Sequence, residues 1–464
     1  MTRERASRKS LNQVNHGSDN GLPDNLKGSL PSIEKIEREM SEWKTKRFED
    51  VCIVDKECLP ENTDPSFPFA YISLSDVEKG KILNTVQHIS FAEAPSRARR
   101  ILHDFDVLMA TVRPNLQAFV VLGSAIKDMI GSTGFAVLSE KDNNSTEYIY
   151  QYLFTDHATR QINNLVAGSN YPAISSSAVK QLEINIPTSL SEQRKIAHIL
   201  STVDAVIEKT EAAIAKYKAI KSGMMRDLFT RGIDLKTGKL RPRYEDATEL
   251  YKQSELGWVP KEWKVVSIGE SCVSFINGGT PSTKNTDNWK GTIPWVTGAD
   301  FLESFEIGFI RRYINQDAVS NSSTHVINGG NILLVTRTGV GKLAIAPFDI
   351  AISQDITGLI LDKEMFRVNY FFIYLQLLVE DFKKMNQGTS INGIVRHDLE
   401  NTLIIQPCID EQEKVAQKVF SLDRMIADEN DGLHKYLQLK SALMSDLLTG
   451  KVRVKYEKET AKEQ

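Results

Sequence analysis

Two stretches of this chain place apolar residues at alternating intervals of four and three positions. The first seam runs through Ile196, Leu200, Val203, Ile207, Ile214, Tyr217, Met224 and Leu228. The second seam runs through Val415, Val419, Leu422, Ile426, Leu433, Tyr436, Leu443 and Leu447. Polar residues interrupt both seams at matching places, namely Thr210 and Lys221 in the first and Glu429 and Lys440 in the second. A sustained period of 3.5 residues predicts two long helices that supercoil against a partner, and the simplest partner for each is the other.

The two helical stretches are copies of each other. Residues 192–230 align without a gap on residues 411–449, and 14 of the 39 pairs are identical. Weaker echoes about 220 positions apart pair Trp43 with Trp263, Gly168 with Gly388, and Ile174 with Ile394. Solenoid repeats have periods of about 20 to 50 residues, so this much longer period indicates that a whole unit, a globular segment with its helix, has been duplicated.

The expected fold is mixed α/β, of the α+β kind, with two tandem domains separated and joined by the two long helices. Antiparallel pairing of those helices would give the chain pseudo-twofold symmetry. Strand-like runs such as 119–122 and 343–346 alternate with helical patterns at 147–164 and 370–385. The expected boundaries are a polar extension at 1–42, a first domain at 43–190, the central long helix at 191–231, a linker at 232–262, a second domain at 263–409, the C-terminal long helix at 410–449 and a charged tail at 450–464.

Composition narrows the class of protein. The chain has 464 residues, of which 41% are apolar, and no apolar run approaches the length of a membrane span. The basic start has no apolar segment behind it, and four scattered cysteines show no metal spacing, so we expect a reduced, cytoplasmic protein. The net charge of −3 means that any contact with nucleic acid must depend on local basic faces or on partners.

Polar loops follow several predicted strands and carry side chains suited to phosphates and base edges. The candidate DNA-binding residues of the first domain are Arg113, Asn115, Gln117, Ser169, Asn170 and Tyr171. Those of the second domain are Thr280, Ser282, Thr283, Lys284, Asn285, Arg337, Lys342, Thr389, Ser390, Asn392, Arg396 and His397. Composition alone does not distinguish such loops from solvated turns.

Sequence signatures of catalysis are missing. Gly339-Val-Gly-Lys resembles the end of a phosphate-binding P-loop, but Leu343 stands where the motif needs serine or threonine, and Thr336 stands where it needs its first glycine. The sequence has no Asn-Pro-Pro-Tyr-like tetrapeptide and no His-Glu-x-x-His pattern. We therefore expect no catalytic, cofactor-binding or metal-binding residues in this chain.

Several segments together resemble the specificity subunit of type I restriction-modification systems. These segments are Ile-Pro-Thr-Ser-Leu-Ser-Glu-Gln-Arg-Lys-Ile-Ala at 186–197 with its twin at 405–416, Gly-Trp-Val-Pro-Lys-Glu-Trp-Lys at 257–264, Asn-Gly-Gly-Thr-Pro-Ser at 277–282, and the Gly-x5-Ile steps at 168–174 and 388–394. The resemblance covers the chain from Trp43 to about Lys451. Outside this framework the two domains match poorly, as expected if they recognise different sequences.

The resemblance implies a non-catalytic subunit in which each domain recognises one half of a bipartite, asymmetric site in double-stranded DNA. The paired helices would set the spacer and dock two modification (methyltransferase) subunits, and restriction (ATP-dependent translocase and nuclease) subunits would complete the complex. S-adenosylmethionine, ATP and Mg²⁺ would be bound by those partners, and no membrane is expected as a partner. Two alternatives stay open, a recognition subunit of a two-subunit type II enzyme and a coiled-coil adaptor that joins two proteins.

Overall fold

A computed structural model describes residues 42–83, 86–124, 127–168, 172–302, 304–385 and 393–456. The chain divides into two compact units. The first contains the chain before Glu208 and from Tyr436 onward, and the second contains Glu208–Lys435. Each unit therefore holds one globular segment and a part of both long helices.

The first globular segment precedes the central helix. Its elements are β1 (Trp43–Arg47), α1 (Phe48–Val51), β2 (Cys52–Val54), β3 (Pro68–Ile72), β4 (Val77–Glu78), β5 (Lys81–Ile82), β6 (Gln87–Ser90), β7 (Ala98–Ile101), β8 (Val107–Ala110), β9 (Phe119–Val121), β10 (Met129–Ser132), β11 (Phe135–Glu140), α2 (Thr146–Leu153), α3 (Asp156–Leu165), α4 (Ser176–Lys180) and β12 (Glu183–Pro187). The central helix α5 (Leu190–Thr230) follows directly and has 41 residues, about 60 Å of helix.

The second globular segment follows the linker hairpin. The elements from the linker onward are β13 (Tyr251–Ser254), β14 (Gly257–Pro260), β15 (Lys264–Ser267), α6 (Ile268–Ser271), β16 (Cys272–Asn277), β17 (Ile293–Val296), β18 (Arg312–Ile314), α7 (Gln316–Ser320), β19 (His325–Ile327), β20 (Ile332–Val335), β21 (Leu343–Ile345), β22 (Ile350–Ile352), β23 (Ile356–Leu361), α8 (Val368–Met385), α9 (Arg396–Asn401) and β24 (Leu403–Gln406). The C-terminal helix α10 (Ile409–Leu447) comes last among these elements.

The sheets of the two units repeat the same strand order. One four-stranded sheet has the order β2-β11-β8-β9 in the first unit and β16-β23-β20-β21 in the second. The other has the order β6-β3-β10-β7 in the first unit and β18-β17-β22-β19 in the second, with β3–β10 and β17–β22 running parallel. A two-stranded ladder joins the start of each segment to its end, β1 to β12 and β15 to β24. The duplication therefore extends over the whole scaffold.

One helical prediction was too long. The pattern at 147–164 predicted a single helix, but the structure divides it into α2 and α3. Thr155 begins the second helix, because its hydroxyl accepts a hydrogen bond from the backbone N–H of Ala158 at 3.2 Å. Such an N-cap satisfies a donor that an uninterrupted helix would bond to its own backbone.

In the first unit, the start of α5 packs antiparallel to the end of α10. Leu200 and Leu447 are buried in the same hydrophobic core. One turn further along α5, Asp204 forms an ion pair with Lys440, with 2.5 Å between Oδ1 and Nζ. The partner residue falls from 447 to 440 as the α5 residue rises from 200 to 204, which defines the antiparallel direction.

The second unit contains the equivalent pairing between the end of α5 and the start of α10. Leu228 and Val419 share one core, and Lys221 forms an ion pair with Asp423 at 2.5 Å. This pair is the 219-residue repeat of the pair in the first unit, with the lysine and aspartate exchanged between helices. Lys221 and its counterpart in α10 were the polar interruptions of the predicted seams. They are only 17–20% exposed and reach across to carboxylates, so they fix the register of the pair.

Most seam positions are buried or half-buried, and Tyr436 departs from this pattern. Ile196 and Val415 are fully buried and Ile214 is also buried, while Val203 and Leu433 are half-buried. Tyr436 keeps 37% of its surface exposed. Tyrosine tolerates such a place because its ring covers apolar surface while its hydroxyl stays in water.

A buried carboxylate at the start of α10 ties the second globular segment to the helices. Both oxygens of Glu411 accept from the guanidinium of Arg241, at 2.5 and 3.0 Å. The same carboxylate accepts from the indole of Trp263 at 3.0 Å and from the backbone N–H of Ile233 at 2.7 Å. The chain that follows α5 is thereby bonded to the first turn of α10.

The first unit repeats this arrangement with residues from the other end of the chain. Arg453, which follows α10, donates to both oxygens of Glu192 at 2.8 and 2.9 Å. Its guanidinium lies 5.8 Å from the ring of Trp43. The C-terminal segment 450–456 is thus part of the first unit. No helix within the described ranges is long and apolar enough to cross a membrane.

Candidate nucleic-acid interface

Polar loops of the second unit meet where three neighbouring strands have their ends. β16 ends at Asn277, β20 ends one residue before Thr336, and β23 begins one residue before Thr357. The hydroxyl of Thr357 lies 3.2 Å from that of Thr336 and donates to the side-chain oxygen of Asn277 at 3.2 Å. We call the edge built from these strand ends and their loops the second reading edge.

Arg337 projects from this edge on a firmly held backbone. The N–H groups of Thr336 and Arg337 donate to the carbonyl oxygen of Asp355 at 2.8 and 3.3 Å, and the N–H of Ile394 donates to the carbonyl of Thr336 at 2.7 Å. The side chain of Arg337 is exposed, and within the described ranges its guanidinium has no hydrogen-bond or ion-pair partner. A rigidly based, available guanidinium suits a phosphate or the edge of a guanine.

The loop after β16 needs its two glycines in order to pass close to the sheet. A Cβ on Gly278 would lie 2.2 Å from the carbonyl oxygen of Ser353, and one on Gly279 would lie 2.1 Å from the hydroxyl of Ser323. Thr280 follows and donates its hydroxyl to the side-chain oxygen of Gln354. The loop is therefore bonded to the turn that joins β22 to β23.

The rest of that loop divides into structural and outward-facing residues. The side chain of Asn285 accepts from the N–H of Asp287 at 3.1 Å and so caps a short 3-10 turn. The carbonyl of Ser282 accepts from the indole of Trp289 at 3.3 Å. The side chains of Ser282, Thr283 and Lys284 are exposed in this loop, which leaves these three as the side chains best placed to contact a ligand.

Three other predicted residues of the second unit already have partners. The ammonium group of Lys342 donates to the carbonyl of Phe301 at 3.1 Å. Arg396 forms an ion pair with Glu400 at 2.6 Å, and the ring of His397 lies within hydrogen-bond distance of Asn401. These contacts occupy part of their hydrogen-bonding capacity, so the three residues are weaker candidates than Arg337.

The first unit has an equivalent edge, the first reading edge. The N–H of Thr111 donates to the carbonyl of Gly134 at 2.8 Å, and the N–H of Ile174 donates to the carbonyl of Thr111 at 2.9 Å. These bonds correspond one by one to those made by Thr336 in the second unit. The same backbone scaffold therefore supports both edges.

The loop at the first reading edge stores backbone strain. Arg113 and Gln117 both lie in the left-handed region, with φ of 50° and 52°. Such a conformation costs a non-glycine residue about 1–3 kcal/mol and persists where the surroundings impose it. Here the N–H of Arg113 donates to the carbonyl of Pro172 at 2.7 Å, and the amide of Gln117 donates to Thr159 at 3.3 Å. Between them, Asn115 is exposed.

Six of the predicted DNA-binding residues lie outside the described residues. They are Ser169, Asn170, Tyr171, Thr389, Ser390 and Asn392.

A charged pair next to the second reading edge was not predicted. Gly298 begins the short turn at 298–300, where a Cβ would lie 2.6 Å from the carbonyl of Thr338. Asp300 ends that turn and accepts from Arg311 at 2.6 Å. Burial raises the pKa of Asp300, but the hydrogen bonds from Arg311 and Thr297 outweigh it and hold that pKa below its usual value. No sequence motif marked this pair, because its members are eleven residues apart in an irregular segment.

Sequence reasoning also missed the turns that join β22 to β23 and β10 to β11. Gln354 and Thr133 lie exposed on these turns, next to the residues that anchor the two edges. The sequence feature that could have indicated these turns is a short polar segment between two apolar runs. Within the described residues, no three histidine, cysteine, aspartate or glutamate side chains are grouped so that they could hold a metal ion.

Comparison with known proteins gives a consistent family. The profile of the type I restriction modification DNA specificity domain matches twice, over residues 40–216 and 260–438. The type I restriction enzyme MjaVIII specificity subunit of Methanocaldococcus jannaschii is 25% identical over 343 residues, which cover 71% of this chain and 75% of that protein. The type I restriction enzyme EcoR124I/EcoR124II specificity subunit of Escherichia coli is 24% identical over 327 residues, with coverage of 67% and 71%.

Solved structures add a likeness of fold. The crystal structure of the type I restriction-modification system S subunit from M. genitalium aligns with a TM-score of 0.57. The alignment covers 88% of this chain and 96% of that chain at 15% identity.

Proposed function

We propose that this chain, which belongs to the family of type I restriction modification DNA specificity proteins, recognises a bipartite DNA sequence with its two reading edges. It is the non-catalytic DNA-recognition subunit of a type I restriction-modification system. Each edge reads one half of the target. The observation that supports this assignment is the repeated scaffold, in which identical backbone bonds at Thr111 and Thr336 carry different outward side chains. A shared scaffold with different side chains suits two half-sites of different sequence.

The partners that complete the function are two modification subunits, with restriction subunits joining the full complex. Exposed apolar side chains on the long helices support a docking role, because exposed apolar surface can mark a site where another protein binds. Ile220 and Met425 in the second unit are 43% and 42% exposed, and Leu437 and Leu439 in the first unit are 48% and 47% exposed. The partners supply S-adenosylmethionine, ATP and Mg²⁺ chemistry, and this chain supplies the sequence preference.

The helices set the length of the unread spacer. Asp204 and Lys221 are 17 positions apart in α5, and Asp423 and Lys440 are 17 positions apart in α10. The residues of the two ion pairs therefore mark the ends of two segments of equal length, one in each helix. Inserting seven residues within each segment keeps both pairs and lengthens each helix by about 10 Å. We expect the spacer of the recognised motif to grow by about three base pairs at 3.4 Å each. A spacer that stays the same would contradict this role.

Methylation mapping by long-read sequencing tests the function directly. The chain is expressed with its own modification subunit in a host that lacks other modification systems. We expect one new methylated motif that consists of two short, different halves around a fixed gap. If the complex assembles and binds methyl donor but produces no such motif, the DNA-recognition function is wrong and the helices serve as a protein adaptor.

A further inference from the structure

The turn between β22 and β23 presents one polar side chain from a fixed base. Ser353 is 1% exposed, and its carbonyl accepts from the N–H of Ile356 at 3.0 Å, which closes a four-residue turn. The N–H of Ser353 donates to the carbonyl of Val296 at 3.0 Å. Gln354 is the exposed residue at the first central position of the turn. Its backbone therefore has little freedom, while its amide faces outward.

The first unit builds the same turn between β10 and β11. Ser132 is fully buried, and its hydroxyl accepts from the N–H of Gly134 at 3.1 Å, as the hydroxyl of Ser353 accepts from Asp355 at 3.4 Å. The exposed residue at the first central position is here Thr133, whose N–H donates to the carbonyl of Arg97 at 2.7 Å. The two turns thus share a buried serine and differ in the side chain that they present.

Both turns are part of the reading edges. The carbonyl of the second central residue, Asp355 or Gly134, accepts from the threonine that follows β20 or β8, at 2.8 Å in each unit. Gln354 therefore directly precedes Asp355, whose carbonyl holds the backbone of Arg337. A side chain held this way loses little conformational entropy when it meets a ligand, which is the condition for discriminating between similar bases.

The amide of Gln354 is oriented by a neighbour. The hydroxyl of Thr280 donates to its oxygen, so the NH₂ group is available as a donor and the oxygen keeps a second lone pair. That combination matches adenine, which offers N7 as an acceptor and the N6 amino group as a donor in the major groove. Thr133, at the equivalent turn of the first unit, offers a single hydroxyl and a methyl group. It therefore suits a different base from the one that Gln354 suits.

We propose that Gln354 is a specificity-determining residue that reads an adenine in the second half-site. Thr280 is its positioning residue, and Thr133 occupies the equivalent reading position for the first half-site. The inference rests on the proposed function, because it names a base contact within one of the two half-sites. It extends that function by assigning one position of the target to one side chain.

Competition binding with the complete complex tests the inference. The complex of this chain with its modification subunits is titrated with duplexes in which each base pair of the mapped target is replaced in turn. We expect Gln354→Ala to reduce the preference for adenine at one position of the second half-site by about 5- to 150-fold, the factor that corresponds to a bidentate contact. The preferences at all first half-site positions should stay within twofold of wild type.

Two further variants distinguish a loss of base recognition from a general structural effect. Thr280→Val should weaken the preference at the same position as Gln354→Ala, which a merely structural role would not restrict to one base pair. Thr133→Ala is the matched control, and any change that it causes should fall in the first half-site.

The inference is overturned if Gln354→Ala leaves every preference unchanged, weakens all duplexes equally, or changes a position whose preferred base is not adenine. These outcomes leave the proposed function intact, because the wild-type complex would still recognise a bipartite motif. Absence of any bipartite motif for the wild type would instead refute the proposed function.

Discussion

Replacing Glu411 by alanine should loosen the second unit at the junction between linker and helix. The carboxylate is 1% exposed and accepts four hydrogen bonds, two from Arg241, one from Trp263 and one from the N–H of Ile233. The pKa of Arg241 reflects this contact, since burial lowers it but the hydrogen bonds and charge of Glu411 outweigh burial and raise it. Without Glu411, the largely buried guanidinium of Arg241 would lose most of the charge and hydrogen bonds that offset the cost of its burial.

The magnitude follows from that geometry. Removing one member of a buried ion pair costs about 3–5 kcal/mol, because the other charge remains without its partner. Arg241 also contacts Glu262 at 3.0 Å, but Glu262 is 79% exposed and compensates only weakly. We therefore expect the free energy of unfolding of the second unit to fall by about 3 kcal/mol. Glu411→Gln should cost less, since the amide oxygen still accepts from one donor.

Hydrogen exchange on the full-length chain measures the effect locally. Glu411→Ala should accelerate exchange at the amides of Ile233 and Trp263 far more than at amides of the first unit. The matched control is Glu413→Ala, two residues along the same helix, where the pair with Arg367 is 2.7 Å long but 42–48% exposed. Exposed pairs contribute about 0–1 kcal/mol. If the two variants destabilise the unit equally, the buried carboxylate does not hold this junction.

Three other predictions test the reading edge, the helix register and the charged pair beside the edge. Arg337→Ala should weaken recognition of the second half-site by about 1–3 kcal/mol and leave the first unchanged, as measured by competition binding; equal relaxation of both halves would contradict the assignment of edges. Asp204→Lys should destabilise the first unit, because the new lysine would be repelled by Lys440. Adding Lys440→Asp to the same chain should restore the stability, as measured by thermal unfolding, and no restoration would show that the register is wrong. Asp300 has a pKa held below the usual value, so it should stabilise the fold above about pH 3.8 and lose that contribution as the pH falls further. The stability difference between wild type and Arg311→Ala in urea should therefore shrink at low pH, and a constant difference would contradict it.

The long helices could be predicted because their signal is local and repeated. The expected ranges 191–231 and 410–449 differ by one or two residues from α5 and α10 at each end. Individual strands could also be predicted, since the apolar runs at 119–122 and 343–346 contain β9 and β21. The order of the strands was not predictable, because pairing brings together residues far apart in the sequence and a single chain carries no record of those partners.

The reading edges were only partly predictable for a related reason. Arg337 could be proposed from the sequence because an arginine after an apolar run is a local signal. The role that we propose for Gln354 had no local signal, since it depends on the turn that holds this residue and on Thr280, which lies 74 positions earlier in the chain. Asn285 caps a short 3-10 turn, and the sequence alone could not reveal this role, because a cap and a ligand contact require the same type of side chain. The sequence pattern thus identifies polar loops. The folded structure determines which of their side chains already form hydrogen bonds within the protein and which are available to a ligand.

The scaffold and the charge of the chain suit a subunit that contributes sequence preference, while its partners contribute part of the affinity for DNA. Its net charge of −3 gives no excess positive charge over the whole chain to neutralise DNA phosphates, so that neutralisation must come from local basic faces or from partners. The chain does carry exposed side chains such as Arg337 and Gln354 on backbones that hydrogen bonds hold in place, and this suits discrimination between bases more than strong binding. Under the proposed function, we expect partner subunits that contact the DNA backbone to supply part of the affinity. Because the two edges share equivalent backbone bonds at Thr111 and Thr336 but carry different outward side chains, we expect the sequence preference to change with those side chains while the common scaffold stays the same.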